Sequence, residues 1–210
     1  PMADGPVIQA AGLRALKTGA DMQQTLKMVQ QFRAGNSTTP IVLMGYANPI
    51  LQYGNEKFCA DSAKAGVDGL IIVDLPPEES EELEAAAKKN GLDFIRLLTP
   101  TTKDDRIPTV VKNASGFLYY VSVTGITGAA KANPESIRPH IDQIRKHTKL
   151  PIAIGFGIKT PEDVKALAKI GDAVVVGSAI VNTIAGNQNA KDLQTIVSKQ
   201  VSGLSGGLVG

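Results

Sequence analysis

Four stretches of this chain repeat one design, in which a helix-like segment closes on glycine and an apolar run follows at once. They are AKAGVDGLIIVD, KKNGLDFIRLLTP, NASGFLYYVSVTG and AKIGDAVVVGSA. Gly66, Gly91, Gly116 and Gly171 stand where each helix should stop, and glycine is the residue that adopts the left-handed conformation of such ends. The apolar runs do not alternate with polar residues. Strands of that kind are covered on both faces, as in a parallel sheet flanked by helices.

The candidate strands are 41–46, 69–73, 94–98, 117–121, 152–156 and 173–176. Amphipathic stretches lie between them. Ile137, Ile141 and Ile144 keep helical spacing, as do Met22, Leu26 and Val29. Thr160 is placed to cap a helix that opens on Pro161, Glu162 and Asp163, and Asn133–Pro134–Glu135 repeats the device. Six βα units at a spacing of roughly 20–35 residues predict an α/β fold. The architecture expected is a (β/α)8 TIM barrel, N-terminally incomplete with about six units present, or else an open parallel sheet. One domain is expected over residues 1–200, followed by a flexible C-terminal tail at 201–210, SGLSGGLVG being its clearest part.

A net charge of +2 with interleaved acids and bases argues against a nucleic-acid or membrane surface. No run reaches the roughly 18 apolar residues of a membrane span, and no leader opens the chain. The single cysteine, Cys59, lies in a helical pattern and reads as a small buried side chain. A cytoplasmic setting is therefore expected. The start is unusual: Pro1 is not an initiator methionine, and PMADGPVIQ reads like the middle of a loop.

Barrel enzymes gather function where strands end. Three late loops stand out: Thr124–Gly128, then Gly155–Phe156–Gly157, then Gly177–Ser178–Ala179–Ile180. Small residues there let backbone N–H groups approach an anion, and a helix after Ser178 would add its positive end, so a phosphate site is expected. Asp4 is a turn or cap aspartate by spacing alone, and Asp74 follows a strand directly. Tyr119 and Tyr120 point to opposite faces by alternation, so at most one looks into a barrel. His140 and His147 have no second ligand at metal spacing and are assigned to the surface or a helix end. Lys103, Lys112, Lys131 and Lys159 lie in polar loops or on helix surfaces, which gives Schiff-base chemistry no support.

Taken together, PMADGPVIQAAGLRAL, PIVLMGYANPILQYG, GLIIVDLPPEES, YYVSVTGITGA, GFGIKTPEDV and VVVGSAIV resemble the tryptophan synthase alpha chain family in order and approximate spacing, over roughly residues 1–185. The resemblance implies a lyase of tryptophan biosynthesis. It would cleave indole-3-glycerol phosphate to indole and glyceraldehyde 3-phosphate by a retro-aldol reaction, with no cofactor or metal in this chain. It implies Asp4 as the carboxylate at the indole N–H and Tyr119 as the tyrosine beside the indole. It implies Thr127 in a loop that closes over the site and is linked to ordering Asp4, and Gly128, Gly157, Gly177 and Ser178 as the phosphate cradle, with Phe156 against the substrate. Tyr46, Ile71 and Leu97 would line the indole pocket.

The implied partner is the beta chain, which holds pyridoxal phosphate and receives indole through a tunnel in an alpha2-beta2 assembly. Pro1, Asn48, Leu51, Gln52 and Pro76 match its interface. The family's other catalytic carboxylate, a glutamate, precedes the ADGP loop and has no counterpart in the sequence, as do the first βα unit and second strand. Little cleavage is expected from a chain beginning at Pro1. Two other readings stay open: a different phosphate-binding barrel enzyme, such as an indoleglycerol-phosphate synthase or a phosphoribosyl isomerase, and a non-catalytic chain that binds the beta partner.

Overall fold

In the computed structural model, residues 3–122, 134–155 and 157–208 are described. Six parallel strands form one curved sheet in sequence order: β1 Val42–Gly45, β2 Gly69–Ile72, β3 Asp93–Leu98, β4 Leu118–Val121, β5 Ile152–Gly155 and β6 Ala173–Val175. Every neighbouring pair is parallel, so each connection must cross back over the sheet, and helices make those crossings. This is the expected half-barrel of βα units. All six candidate strands exist, with ends within one residue of expectation.

Two helices precede the sheet, α1 Pro6–Lys17 and α2 Met22–Arg33. After β1 come α3 Ala47–Tyr53 and α4 Asn55–Ala65, then α5 Glu81–Lys89 and α6 Ile107–Val111 after β2 and β3. The set closes with α7 Pro134–Ile144, α8 Pro161–Ala168, α9 Ser178–Gly186 and α10 Leu193–Ser205. Thr160 and Asp163 form a full capping box at α8. Ile137, Ile141 and Ile144 are all buried, as their spacing requires.

Alternation divides each strand between two faces. The outer side chains Leu98, Leu118, Tyr120, Ile152 and Ile154 pack with Ile137, Ile141, Ile144, Val164 and Leu167 of the helices. A second outer cluster joins Leu70, Ile72 and Phe94 to Leu26, Val29, Phe58 and Leu83. Cys59 belongs to it, and burial, aided by Glu56, pushes the thiol up to about 11, which keeps it protonated and inert.

The starts of the strands are tied by one device used twice. Asp68 accepts the Ile41 amide at 2.6 Å and the guanidinium of Arg33, whose Nε donates to the Gly66 carbonyl at 2.7 Å. Asp172 accepts the Ile152 amide at 2.8 Å and Arg145 at 3.1 Å, and Arg145 also reaches the Ile170 carbonyl. In both cases a carboxylate at one strand's entry holds the first amide of the preceding strand.

Three findings differ from expectation. Gly66, Gly91 and Gly116 have positive φ, but Gly171 does not. A Cβ at Gly171 would lie 2.8 Å from the Ile154 side chain, so close packing on β5, not a left-handed turn, requires glycine there. Residues 201–208, expected as part of a flexible tail, are helical and packed. Leu204 of α10 is buried in the outer core, and Gly207 lies so close to the Pro161 carbonyl that no side chain would fit. His140, assigned to the surface or a helix end, shares a 3.1 Å hydrogen bond with the Tyr120 hydroxyl behind the sheet, and burial pushes that phenol up to about 12.

Ile154→Ala should cost about 2–5 kcal/mol, because a fully buried side chain leaves a cavity. A lowered urea midpoint at unchanged m-value is the expected result. Arg106 pairs with Glu78 through both carboxylate oxygens and lowers that carboxyl from 4.5 to about 2. A depressed acid contributes stability that is complete above its unfolded value and lost as pH falls toward the folded one. Glu78→Gln should therefore remove part of the acid-induced loss between about pH 4.5 and 2, read from stability curves at several pH values.

Candidate functional site

The inner face of the sheet is smaller and looser than the outer one. Ile71, Ile95 and Tyr119 are buried there, with Val42, Val73, Leu97, Phe117, Val121 and Val175 partly buried around them. Leu97 and Tyr119 are direct partners across β3 and β4, and Tyr119 faces Ala153 on β5. Ile71, Leu97 and Tyr119, each expected at an indole pocket, thus share one apolar surface. Tyr120 lies behind the sheet, as alternation demands.

The Tyr119 ring has room because of Gly155. A Cβ at that glycine would lie 2.6 Å from the ring and from its hydroxyl. Burial pushes the Tyr119 phenol up, so it is a neutral group on this face. Gly155 is fixed in turn by Ser122, whose amide at 3.0 Å and hydroxyl at 2.9 Å both donate to its carbonyl.

Asp4 and Tyr46 meet across forty-two positions of sequence. The Tyr46 hydroxyl donates to Asp4 Oδ2 at 2.9 Å and accepts the Ala3 amide at 3.1 Å. The Asp4 carbonyl also accepts from the Gln9 side chain at 2.7 Å. Gly5, not Asp4, occupies the N-cap of α1, so the carboxylate is not spent on capping. Tyr46 immediately follows β1 and precedes α3, which sets its phenol at the C-terminal ends of the strands. Burial raises this phenol above its ordinary value, and the hydrogen bond to Asp4 raises it further.

Gly157 has φ 75° after β5, and Gly177 caps α9 after β6. These two strands are neighbours, with Gly155 opposite Val175. Among the described residues, a side chain at Gly177 would meet nothing within 4 Å. The first-turn amides of a helix, Ser178 among them, have no acceptor within the helix and suit an anion. α1 packs against α9, so the segment leading from Asp4 adjoins the helix that Ser178 opens. Pro1, Thr127, Gly128 and Phe156 lie outside the described residues.

Asn48, Leu51 and Gln52 share one exposed face of α3, and Leu51 is 59% exposed. Pro76 is exposed in the next βα loop. The two loops are linked, because Asp74 Oδ1 accepts the Ala47 amide at 2.8 Å at the start of α3. The residues expected at a partner surface therefore sit on one rim, next to Tyr46. Among the described residues, no group of three or more His, Cys, Asp and Glu could hold a metal, and no helix is long and apolar enough to cross a membrane.

The family model for the tryptophan synthase alpha chain matches residues 1–205. The chain belongs to that family. A crystal structure of tryptophan synthase subunit alpha from Legionella pneumophila str. Paris is 40% identical, with TM-score 0.90, covering 99% of this chain and 77% of that one. The alpha-family fold is also matched by a Pyrococcus furiosus structure, described as the tryptophan synthase a2b2 complex, at 36% identity and TM-score 0.88, covering 98% and 82%. The six parallel strands are thus the curved half-barrel of the tryptophan synthase alpha TIM barrel.

Two features of this alpha-family chain escaped the sequence reading. The Tyr46–Asp4 contact joins distant segments and has no local signature. Gly155 as the space beneath Tyr119 needed the register of β4 and β5. Gly155→Ala should displace the Tyr119 ring and lower stability by about 1–3 kcal/mol, the usual cost of overpacking. A changed near-ultraviolet tyrosine dichroism together with a lowered urea midpoint would show it.

Proposed function

We propose that the chain performs the alpha reaction of tryptophan synthase, retro-aldol cleavage of indole-3-glycerol phosphate to indole and glyceraldehyde 3-phosphate. The observation that carries this reading is a carboxylate held by a phenol at the strand ends of a sheet with an apolar inner face: Asp4 on Tyr46 just after β1, and Ile71, Leu97 and Tyr119 on the inner face of β2, β3 and β4. A flat apolar ring with one N–H suits that combination. The inner face takes the ring and Asp4 accepts the N–H.

As the carbon–carbon bond breaks, the electron pair returns to the indole ring, the hydroxyl on the departing carbon gives its proton to the conjugate base of the acid that protonated the ring, and the side chain leaves as an aldehyde. Asp4 stabilises the positive charge that develops at the indole nitrogen in the preceding tautomer. Tyr46 keeps the carboxylate in one orientation, so less reorganisation is needed at that moment. The phosphate is assigned to the amides around Gly157, Gly177 and Ser178, with Gly128 and Phe156, and Thr127 to the loop over the site. No lysine and no cofactor is needed, since a helix N-terminus and backbone N–H groups suit a dianion. The proton that reaches the ring carbon comes from a second acid. Asp74, another carboxylate on this rim, is engaged by the Ala47 amide and is not assigned that role.

The exposed face of α3 with Pro76 is read as the docking surface for the beta chain, in keeping with the a2b2 assembly of the Pyrococcus furiosus relative. Indole formed at the inner face would leave toward that partner, which alone would carry pyridoxal phosphate.

Asp4→Asn should lower indole release by roughly 10²–10⁴-fold, the usual range for a positioned acid or base, while leaving the urea midpoint nearly unchanged. The check is an indole-release assay on the intact protein with its beta partner. Turnover equal to wild type in the Asn variant would remove Asp4 from the mechanism.

A further inference from the structure

Arg96 interrupts the apolar run of β3 and is only 4% exposed. Its neighbours Ile95 and Leu97 face inward, so Arg96 projects into the layer between sheet and helices. A guanidinium there is tolerated only when its hydrogen bonds are met. Arg96 donates to the Leu75 carbonyl at 3.0 Å, and pairs with both the Ser80 hydroxyl and the Glu84 carboxylate. Glu84 also receives Asn113 at 2.9 Å, and Ser80 donates to the Pro77 carbonyl at 2.9 Å. One buried cation thus grips the loop after β2 at both ends of Leu75–Pro76–Pro77.

That loop is stiff for local reasons as well. Two prolines fix their own φ and hold Leu75 extended. A stiff segment transmits a shift instead of absorbing it. The residue just before it is Asp74, whose exposed carboxylate takes the Ala47 amide at 2.8 Å. The preceding residue, Tyr46, is the phenol on Asp4.

We propose that Arg96 is a positioning residue for Asp4, acting through the Leu75 carbonyl on Asp74, through Asp74 on the Ala47 amide, and through Tyr46 on the carboxylate. The inference rests on the reading of Asp4 as the carboxylate at the indole N–H. It adds a buried residue on the far side of the sheet, which touches neither substrate nor Asp4. Its consequence is that the rim carrying Pro76 and the carboxylate that handles indole are mechanically one unit.

The test uses the intact protein and three variants. Asp74→Ala removes the acceptor at an exposed position where folding is not threatened. Asp74→Asn keeps Oδ1 and serves as the rescue. Arg96→Met combined with Glu84→Gln removes the grip without leaving a buried carboxylate unpaired. The first readout is ionisation of Tyr46 by ultraviolet difference titration, with Tyr46→Phe identifying its contribution. Because the Asp4 hydrogen bond helps hold this phenol up, Asp74→Ala and the double variant should lower its titration toward the ordinary tyrosine value, and Asp74→Asn should not. The second readout is indole release, where kcat should fall on the order of tenfold to a hundredfold in the same two, with KM nearly constant and most of the loss restored in Asp74→Asn. An unmoved Tyr46 titration in Asp74→Ala overturns the linkage. The titration does not depend on what Asp4 does in catalysis. Should Asp4→Asn retain turnover while the titration shifts as stated, the functional reading fails and the mechanical link stands.

Discussion

Each strand in this chain carries an apolar run with two faces to cover, and the rest of the structure depends on how differently those faces are covered. Helices cover most of the outer face. Leu118, Ile152 and Ile154 are fully buried against α7 and α8, and this is where apolar burial holds the molecule together. On the inner face Ile71, Ile95, Tyr119 and Ala153 are buried, and their partly exposed neighbours leave an apolar surface that a planar ligand can cover. Stability and recognition thus occupy opposite sides of the same strands.

A second separation runs along the strands. At their starts, Asp68 and Asp172 each bind an amide at the start of the neighbouring strand and an arginine, Arg33 of α2 and Arg145 just after α7. These contacts tie neighbouring strands together through side chains. At the strand ends the chain instead presents Asp4 on Tyr46, the turn at Gly157 and the N-terminus of α9. In a parallel sheet all strand ends fall on one rim, so residues from six separate loops can converge there without any being adjacent in sequence.

Glycine serves different physical needs across the chain. Gly66 and Gly91 follow α4 and α5 with positive φ, and Gly116 takes it shortly before β4, a conformation side chains rarely adopt. Gly171 and Gly155 have ordinary backbones and are small because Ile154 and Tyr119 lie against them. The first kind is recognisable from a helix followed by a strand. The second is invisible until strand register is known.

Periodicity, helix caps and unbroken apolar runs were enough to place six strands, to set Tyr119 and Tyr120 on opposite faces, and to foresee the buried stripe of Ile137, Ile141 and Ile144. All of these depend on interactions within a few residues, which is why sequence alone carried them. The packing of α10 was missed, because a glycine- and serine-rich segment such as 201–208 carries no local sign of its contacts with α8 and α9. Arg96 carried a readable signal, a charge inside an apolar strand, yet its partners Leu75, Ser80 and Glu84 follow from the crossing of β3 with the loop before α5. Likewise Asp4 is ambiguous on its own, and only the return of the chain at the end of β1 gives it Tyr46. Sequence determined the elements and their faces through local backbone preference and alternation. Tertiary structure decided which polar groups meet, because their meeting requires closure over distances that no local preference encodes.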